Sequence, residues 1–252
     1  FNDPASADII NRWVKDNTNG LIEKIVESPI DPQTIMFLIN AIYFKGTWTV
    51  EFDPDRTRDD VFTKAEGEQT RIKMMNLKTD LPYFENDTFQ AVDLPYGNER
   101  FRMTVLLPKQ GVDLDSLISS FNPSDWNQWM SEFSEHEVKL QLPKFKLEYK
   151  ITLNDILKAL GMAVAFEPYE ADFTKLYSGP ENAYISNVKH KTFVEVDEEG
   201  TEAAAVTSVE VTVTSVGPQP ITMRVDHPFA FAIRESQSGT VLFIGKIVEP
   251  TL

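Results

Sequence analysis

From Thr201 to Met223 the chain contains neither lysine nor arginine, and its only acids there are Glu202 and Glu210, although 25% of all residues are charged. A stretch so rich in valine and threonine favours the strand conformation, and an unpaired, uncharged strand adheres to other sheets. The fold must therefore pair it or hold it apart. Read at period two, Thr201, Ala203, Ala205, Thr207, Val209, Val211 and Val213 form a small, apolar face, while Glu202, Ala204, Val206, Ser208, Glu210, Thr212 and Thr214 form a mostly polar one. That suits a strand with a core side and a water side. An ordinary sheet strand fits the alternation too, but the run far exceeds the usual length of about five or six residues. Its alanine-rich start also has poor strand propensity. Small side chains beside Gly200 instead suit a segment that can bend and slide between neighbouring strands.

Composition narrows the function. With 252 residues and 42% hydrophobic content the chain can bury a sizeable core. A formal charge of -15, without any basic run, argues against nucleic-acid and membrane partners, because both polyanions would be repelled. The absence of cysteine removes disulfides, thiolate nucleophiles and cysteine metal sites together. The longest apolar run, Ile35 to Phe44, is interrupted by Asn40 and is too short to cross a bilayer. The first residues lack the pattern of a secretion signal.

Along the chain, Ile9, Ile10, Trp13 and Val14 recur at helical spacing after Asp3, a plausible cap, and Asn19-Gly20 predicts a stop before a second short helix. Thr34 to Phe44 is apolar on both alternating faces, which predicts a central strand buried between two layers. The runs TRIKMM, FQAVDLPY and RFRMTVLLP, separated by turn residues, predict antiparallel strands between Val61 and Pro108. Helix follows from Asp113 to Glu132 with a break at Asn122-Pro123, then a strand from Val138 to Lys150 and a helix over LNDILKALGM. Beyond Tyr184 almost everything reads as strand. No linker or repeat interrupts residues 1–252, so the expectation is one α+β domain.

Catalytic chemistry finds no candidate. His136, His190 and His227 fall in no metal-binding spacing, and each reads as a structural hydrogen-bonder. No nucleophile elbow or phosphate-cradling loop is present, and Asp197, Glu198 and Glu199 read as a solvated turn rather than an acid–base pair. Neither a cofactor nor a metal is expected, and the chain is not read as an enzyme. A binding or conformational role remains.

VEVDEEGTEAAAVTS, from Val194 to Ser208, closely resembles the hinge signature of inhibitory serpins. The flanking text agrees: LINAIYFKGTWTVEFDPDRTRDDVF, LPKFKLEYKITLNDILKALGM, ADFTKL, ISNVKHKTFVEV and DHPFAFAIRESQSGTVLFIGKIVEP follow in family order over the whole chain. The resemblance implies the serpin fold, with mixed, mainly antiparallel sheets, helices and an exposed reactive-centre loop. Here that fold is incomplete at its N-terminus, because family members carry roughly a further third of chain before this point. The expectation is a fragment of a nicked molecule whose N-terminal piece persists as a separate chain and partner.

The resemblance further implies an irreversible inhibitor of serine proteases. Its loop, within residues 198–220, is cut as a substrate, and the N-terminal part then inserts into the central sheet before the acyl-enzyme is hydrolysed. The hinge comprises Glu198, Glu199, Gly200, Thr201, Glu202, Ala203, Ala204 and Ala205. By family spacing the reactive bond is Thr214-Ser215, with Val213-Thr214 as second choice because the stretch up to Asp226 is slightly long. Small residues there favour an elastase-like or subtilisin-like partner over a trypsin-like one. Asn40 and His190 match the family's hydrogen-bonded cluster beneath the sheet, and Trp48 matches the tryptophan where the loop first enters; together they are read as controlling sheet opening. A non-inhibitory carrier, chaperone or storage protein is the alternative. A secreted or extracytoplasmic location is expected. Insertion into a second molecule's sheet, giving loop–sheet polymers, is the accompanying hazard.

Overall fold

The computed structural model of the protein describes residues 3–179, 182–201 and 219–252. Helix α1, Ser6–Asn17, starts after Asp3, whose Oδ1 accepts the Ala5 N–H at 2.8 Å, and it stops at Asn19-Gly20, both at positive φ. No second helix follows. The segment after Gly20 is irregular, held by Asn11, whose Oδ1 accepts the N–H groups of Ile25 and Val26. Strands β1 (Phe37–Tyr43) and β2 (Gly46–Thr47) come next, then β3 (Arg58–Thr63), β4 (Gln69–Glu85), β5 (Phe89–Tyr96) and β6 (Phe101–Pro108). Helices α2 (Leu114–Ser120) and α3 (Pro123–Glu132) are capped by Asp113 and Asn122, which accept from Ser116 and Asp125.

The run expected as one strand from Val138 to Lys150 is two, β7 (Ser134–Pro143) and β8 (Phe145–Thr152). Lys144 interrupts it: its N–H leaves the ladder for the Lys73 carbonyl. Helix α4 (Asn154–Leu157) runs into a wider turn that Gly161 ends at φ 100, a conformation only glycine adopts cheaply. Strands β9 (Asn187–Val196), β10 (Gly200–Thr201), β11 (Ile221–Arg224), β12 (Phe229–Glu235) and β13 (Val241–Ile247) complete the described chain.

The contacts divide the chain into two compact units, each discontinuous in sequence. The first comprises Phe1–Phe44 and Leu147–Val194. Its sheet has the order β1-β9-β8, and α1 packs Ala7 and Val14 with Ile22, Ile25, Val26 and Phe193. β1 was expected at the centre of a doubly covered sheet. It is an edge strand here and leaves Leu38 and Asn40 exposed, because the apolar run finds a neighbour on only one side among the described strands.

The second unit, Lys45–Lys146 and Glu195–Leu252, holds an eight-stranded sheet of order β11-β7-β4-β5-β6-β12-β13, with β3 paired to β4, and a separate two-stranded pair of β2 and β10. Phe89, Leu106 and Ala230 on the large sheet receive α2 and α3 through Leu117, Phe121 and Trp129. Arg234, buried in β12, pairs with Asp93 of β5, which also accepts from Thr104 of β6, so the buried charges in this sheet are matched.

Candidate functional site

In the first unit, β1 and β9 run parallel and directly paired from Phe37↔Asn187 to Tyr43↔Phe193, with Asn40 opposite His190. The side chains of these two residues make no mutual hydrogen bond. Asn40 is exposed, and the buried Nδ1 of His190 finds no partner among the described residues. The expected cluster is thus represented by register, not by a completed network.

In the second unit, the chain leaving β9 reverses over four residues. Asp197 makes the turn: its Oδ1 accepts the N–H groups of Glu199 and Gly200 at 3.0 and 3.1 Å, and its own N–H reaches the Gly200 carbonyl at 3.0 Å. After the turn, Gly200 and Thr201 pair antiparallel with Thr47 and Gly46. Gly200 is obligatory here. At φ +153, a Cβ on it would lie 2.1 Å from the Gly46 carbonyl oxygen and 2.7 Å from the Thr47 Cα. The turn's carbonyls are also used, since the N–H groups of Trp48 and Phe52 bind Glu199 and Glu198 at 2.9 and 2.8 Å.

An aromatic cluster underlies this turn. Trp48, 3% exposed, stacks on Tyr96 at 4.3 Å and 17° and meets Phe52 edge-on at 6.3 Å. Its indole N–H donates to the Asp197 carbonyl at 3.0 Å. Tyr96 in turn meets Thr201: the two hydroxyl oxygens are 2.8 Å apart, and Thr201 is fully buried. Burial pushes the Tyr96 phenol upward, despite the bond to Thr201, so it stays neutral.

Glu198 is not the solvated residue that sequence suggested. It is 8% exposed, accepts from the Lys144 ammonium at 2.6 Å and from the Thr57 hydroxyl at 2.7 Å, and so ties the turn to the break between β7 and β8. Burial alone would raise its carboxyl. The bonds from Lys144 and Thr57 outweigh it and hold the pKa below the ordinary value. The pair borders an open groove of about 450 Å³ that Thr57, Lys73 and Val196 also line.

The structure therefore gathers Trp48, Glu198, Glu199, Gly200 and Thr201 at one place, and keeps Asn40 and His190 in the other unit. Glu202, Ala203, Ala204, Ala205, Val213, Thr214 and Ser215 lie outside the described residues. Sequence reading missed Thr57, Tyr96, Lys144 and the role of Asp197. Only Lys144 left a signal, as the position where alternation fails after Pro143. Of the histidines, His136 bonds Ser134 in an exposed position, and His227 lies between Asp226 and the Pro108 carbonyl. Among the described residues no group of three His, Asp or Glu side chains could hold a metal ion, and no helix is long and apolar enough to cross a membrane.

Comparison with known proteins gives one answer. A family model described as serpin (serine protease inhibitor) matches residues 1–250. Iripin-2 of Ixodes ricinus is 37% identical over 245 residues, covering 96% of this chain and 61% of that protein. Serpin B11 of Homo sapiens is also 37% identical, over 96% of this chain and 62% of its own length. Among solved structures, the native state of the thermophilic serpin tengpin matches with TM-score 0.88 and 36% identity, covering 98% of this chain and 64% of that one. Human thyroxine-binding globulin complexed with thyroxine matches with TM-score 0.89 and 28% identity, covering 100% of this chain and 66% of that one. The chain thus spans about three fifths of the curated relatives it matches.

Proposed function

The chain belongs to the serpin family of serine protease inhibitors, and on that premise we propose that it carries the hinge and reactive loop of an irreversible, inhibitory member. A protease cuts Thr214-Ser215: its serine oxygen forms an ester with the Thr214 carbonyl carbon, and the Ser215 amine leaves. The freed loop then enters the sheet between β1 and β9, and the protease is trapped before water reaches the ester. The observation that carries this reading is the root of the loop. The chain has already reversed at Asp197, and Thr201 is already paired and buried against β2. The next side chains on that face, Ala203 and Ala205, are small enough to follow. The direct β1–β9 pairing supports a starting state in which the sheet is still closed.

Val213 and Thr214 suit the shallow pocket of an elastase-like or subtilisin-like protease and offer nothing to a pocket built for lysine or arginine. A second reading, a family member whose loop is cut without trapping, is favoured by the likeness to thyroxine-binding globulin. Incubating the full chain with elastase, subtilisin and trypsin separates the two. An SDS-resistant complex with the first two is expected, and a cleaved band without complex for every protease tried would exclude inhibition. Thr201→Arg is expected to convert inhibitor into substrate, since a charge cannot take the buried position that Thr201 holds.

A further inference from the structure

Tyr96 belongs to neither hinge nor loop, yet its phenol meets the first core-facing side chain of the loop. Thr201 is fully buried, and a buried hydroxyl without a partner is costly. Tyr96 meets that need from a fixed position. It ends β5, is bridged to Trp48 by antiparallel pairing and is stacked on the same indole at 4.3 Å. On either side of it, the Thr49 N–H binds the Pro95 carbonyl and the Gly97 N–H binds the Thr47 carbonyl, at 2.9 and 2.8 Å. The phenol therefore presents its oxygen at one height along β2. Thr201 matches it, whereas Ala203 and Ala205, next on the same face, would leave it nothing to bind. The contact selects a register.

Resting on the inhibitory reading above, we propose that Tyr96 is a positioning residue that sets the first rung of loop insertion. By holding the Thr201 hydroxyl, it keeps β10 formed while the sheet is closed, so a cut loop propagates from a made pair instead of nucleating one. Ordering the first residues is the entropic part of strand addition, and here it is complete before the protease arrives. The race between insertion and hydrolysis of the acyl-enzyme then starts with an advantage to insertion.

The test uses the full chain and a protease that it traps. Tyr96→Phe keeps the ring and its stack and removes only the hydroxyl; Thr201→Val removes the other partner; Thr201→Ser retains it. The ratio of cleaved, released inhibitor to trapped complex is expected to rise about fivefold in Tyr96→Phe and in Thr201→Val, the factor that one net hydrogen bond supplies. The double variant should be no worse than either single one, and Thr201→Ser should behave as the unsubstituted protein. An unchanged ratio in Tyr96→Phe, or effects that multiply in the double variant, would overturn the proposal. A second measurement is independent of trapping: the loop is cut by a non-target protease, and the ensuing gain in thermal stability is followed in time. If no protease is ever trapped, the inhibitory reading fails, while this gain still reports insertion. It is expected about fivefold more slowly in Tyr96→Phe, and equal rates, or no gain in the unsubstituted protein, would refute the role of Tyr96.

Discussion

The two described segments that flank residues 202–218 are anchored in different ways. Before them, Gly200 and Thr201 form only two pairs with β2, but the anchor is buried and built from a close backbone approach, a tyrosine hydroxyl, an indole N–H and the Lys144–Glu198 pair. After them, β11 makes four parallel pairs with β7, buries Met223 and is tied at its end by charge: Arg224 reaches Asp60 at 2.8 Å and Asp226 at 2.9 Å, with its side chain 40% exposed. The short anchor depends mainly on fit and on buried hydrogen bonds, with one ion pair at the edge of a groove, so salt weakens it less than the longer one, which leans on more exposed ion pairs.

The hardest test of that difference is Gly200→Val. A side chain there meets the Gly46 carbonyl and forces an unfavourable backbone, so a stability loss of about 3 kcal/mol is expected in urea denaturation. A loss below about 1 kcal/mol, within the range of an ordinary surface change, would mean that the close approach to β2 is dispensable. Lys144→Ala should cost about 2 kcal/mol, because Glu198 keeps its burial and loses the cation that offsets it. The groove beside the pair lets water in, which keeps the figure below that of a sealed ion pair.

Acid offers a third approach. The Glu198 carboxyl is depressed from 4.5 in the folded protein, so its contribution is fully present above pH 4.5 and is lost as pH falls through the lower folded value. Stability of the unsubstituted protein should decline over that window, and the decline should be shallower in Glu198→Gln. An identical pH profile for the two would remove Glu198 from the anchor. The smallest effect belongs to the far side. Arg224→Gln is expected to cost about 0.5 kcal/mol at low ionic strength and nearly nothing in 1 M salt, measured by amide exchange of β11. A cost that persists in salt would show that Arg224 acts by packing and erase the contrast between the anchors.

Much of the fold can be read from the residues alone. The α1 helix, the hairpin of β5 and β6 and the glycine that ends the 154–162 turn follow from local period and turn chemistry, which do not need distant partners. The errors have a common cause. β1 reads as a central strand because apolar residues on both faces report burial without saying which neighbours provide it, and Asp197–Glu199 reads as solvated because charge alone does not reveal a waiting lysine. Lys144 lies 54 residues from Glu198, and Tyr96 lies 105 from Thr201, so no local window contains either pair.

What the sequence determined by itself is the demand: a nearly uncharged, small-faced tract that begins at a glycine and must be either paired or restrained. That demand is intrinsic, because propensity, side-chain size and charge travel with the residues. What only the tertiary structure decided is where the tract is held and by which groups. β2 lies against Gly200, Tyr96 reaches Thr201, and Lys144 finds Glu198 because strands far apart in the chain converge on one turn, and hydrogen bonds of about 3 Å exist only once they have done so.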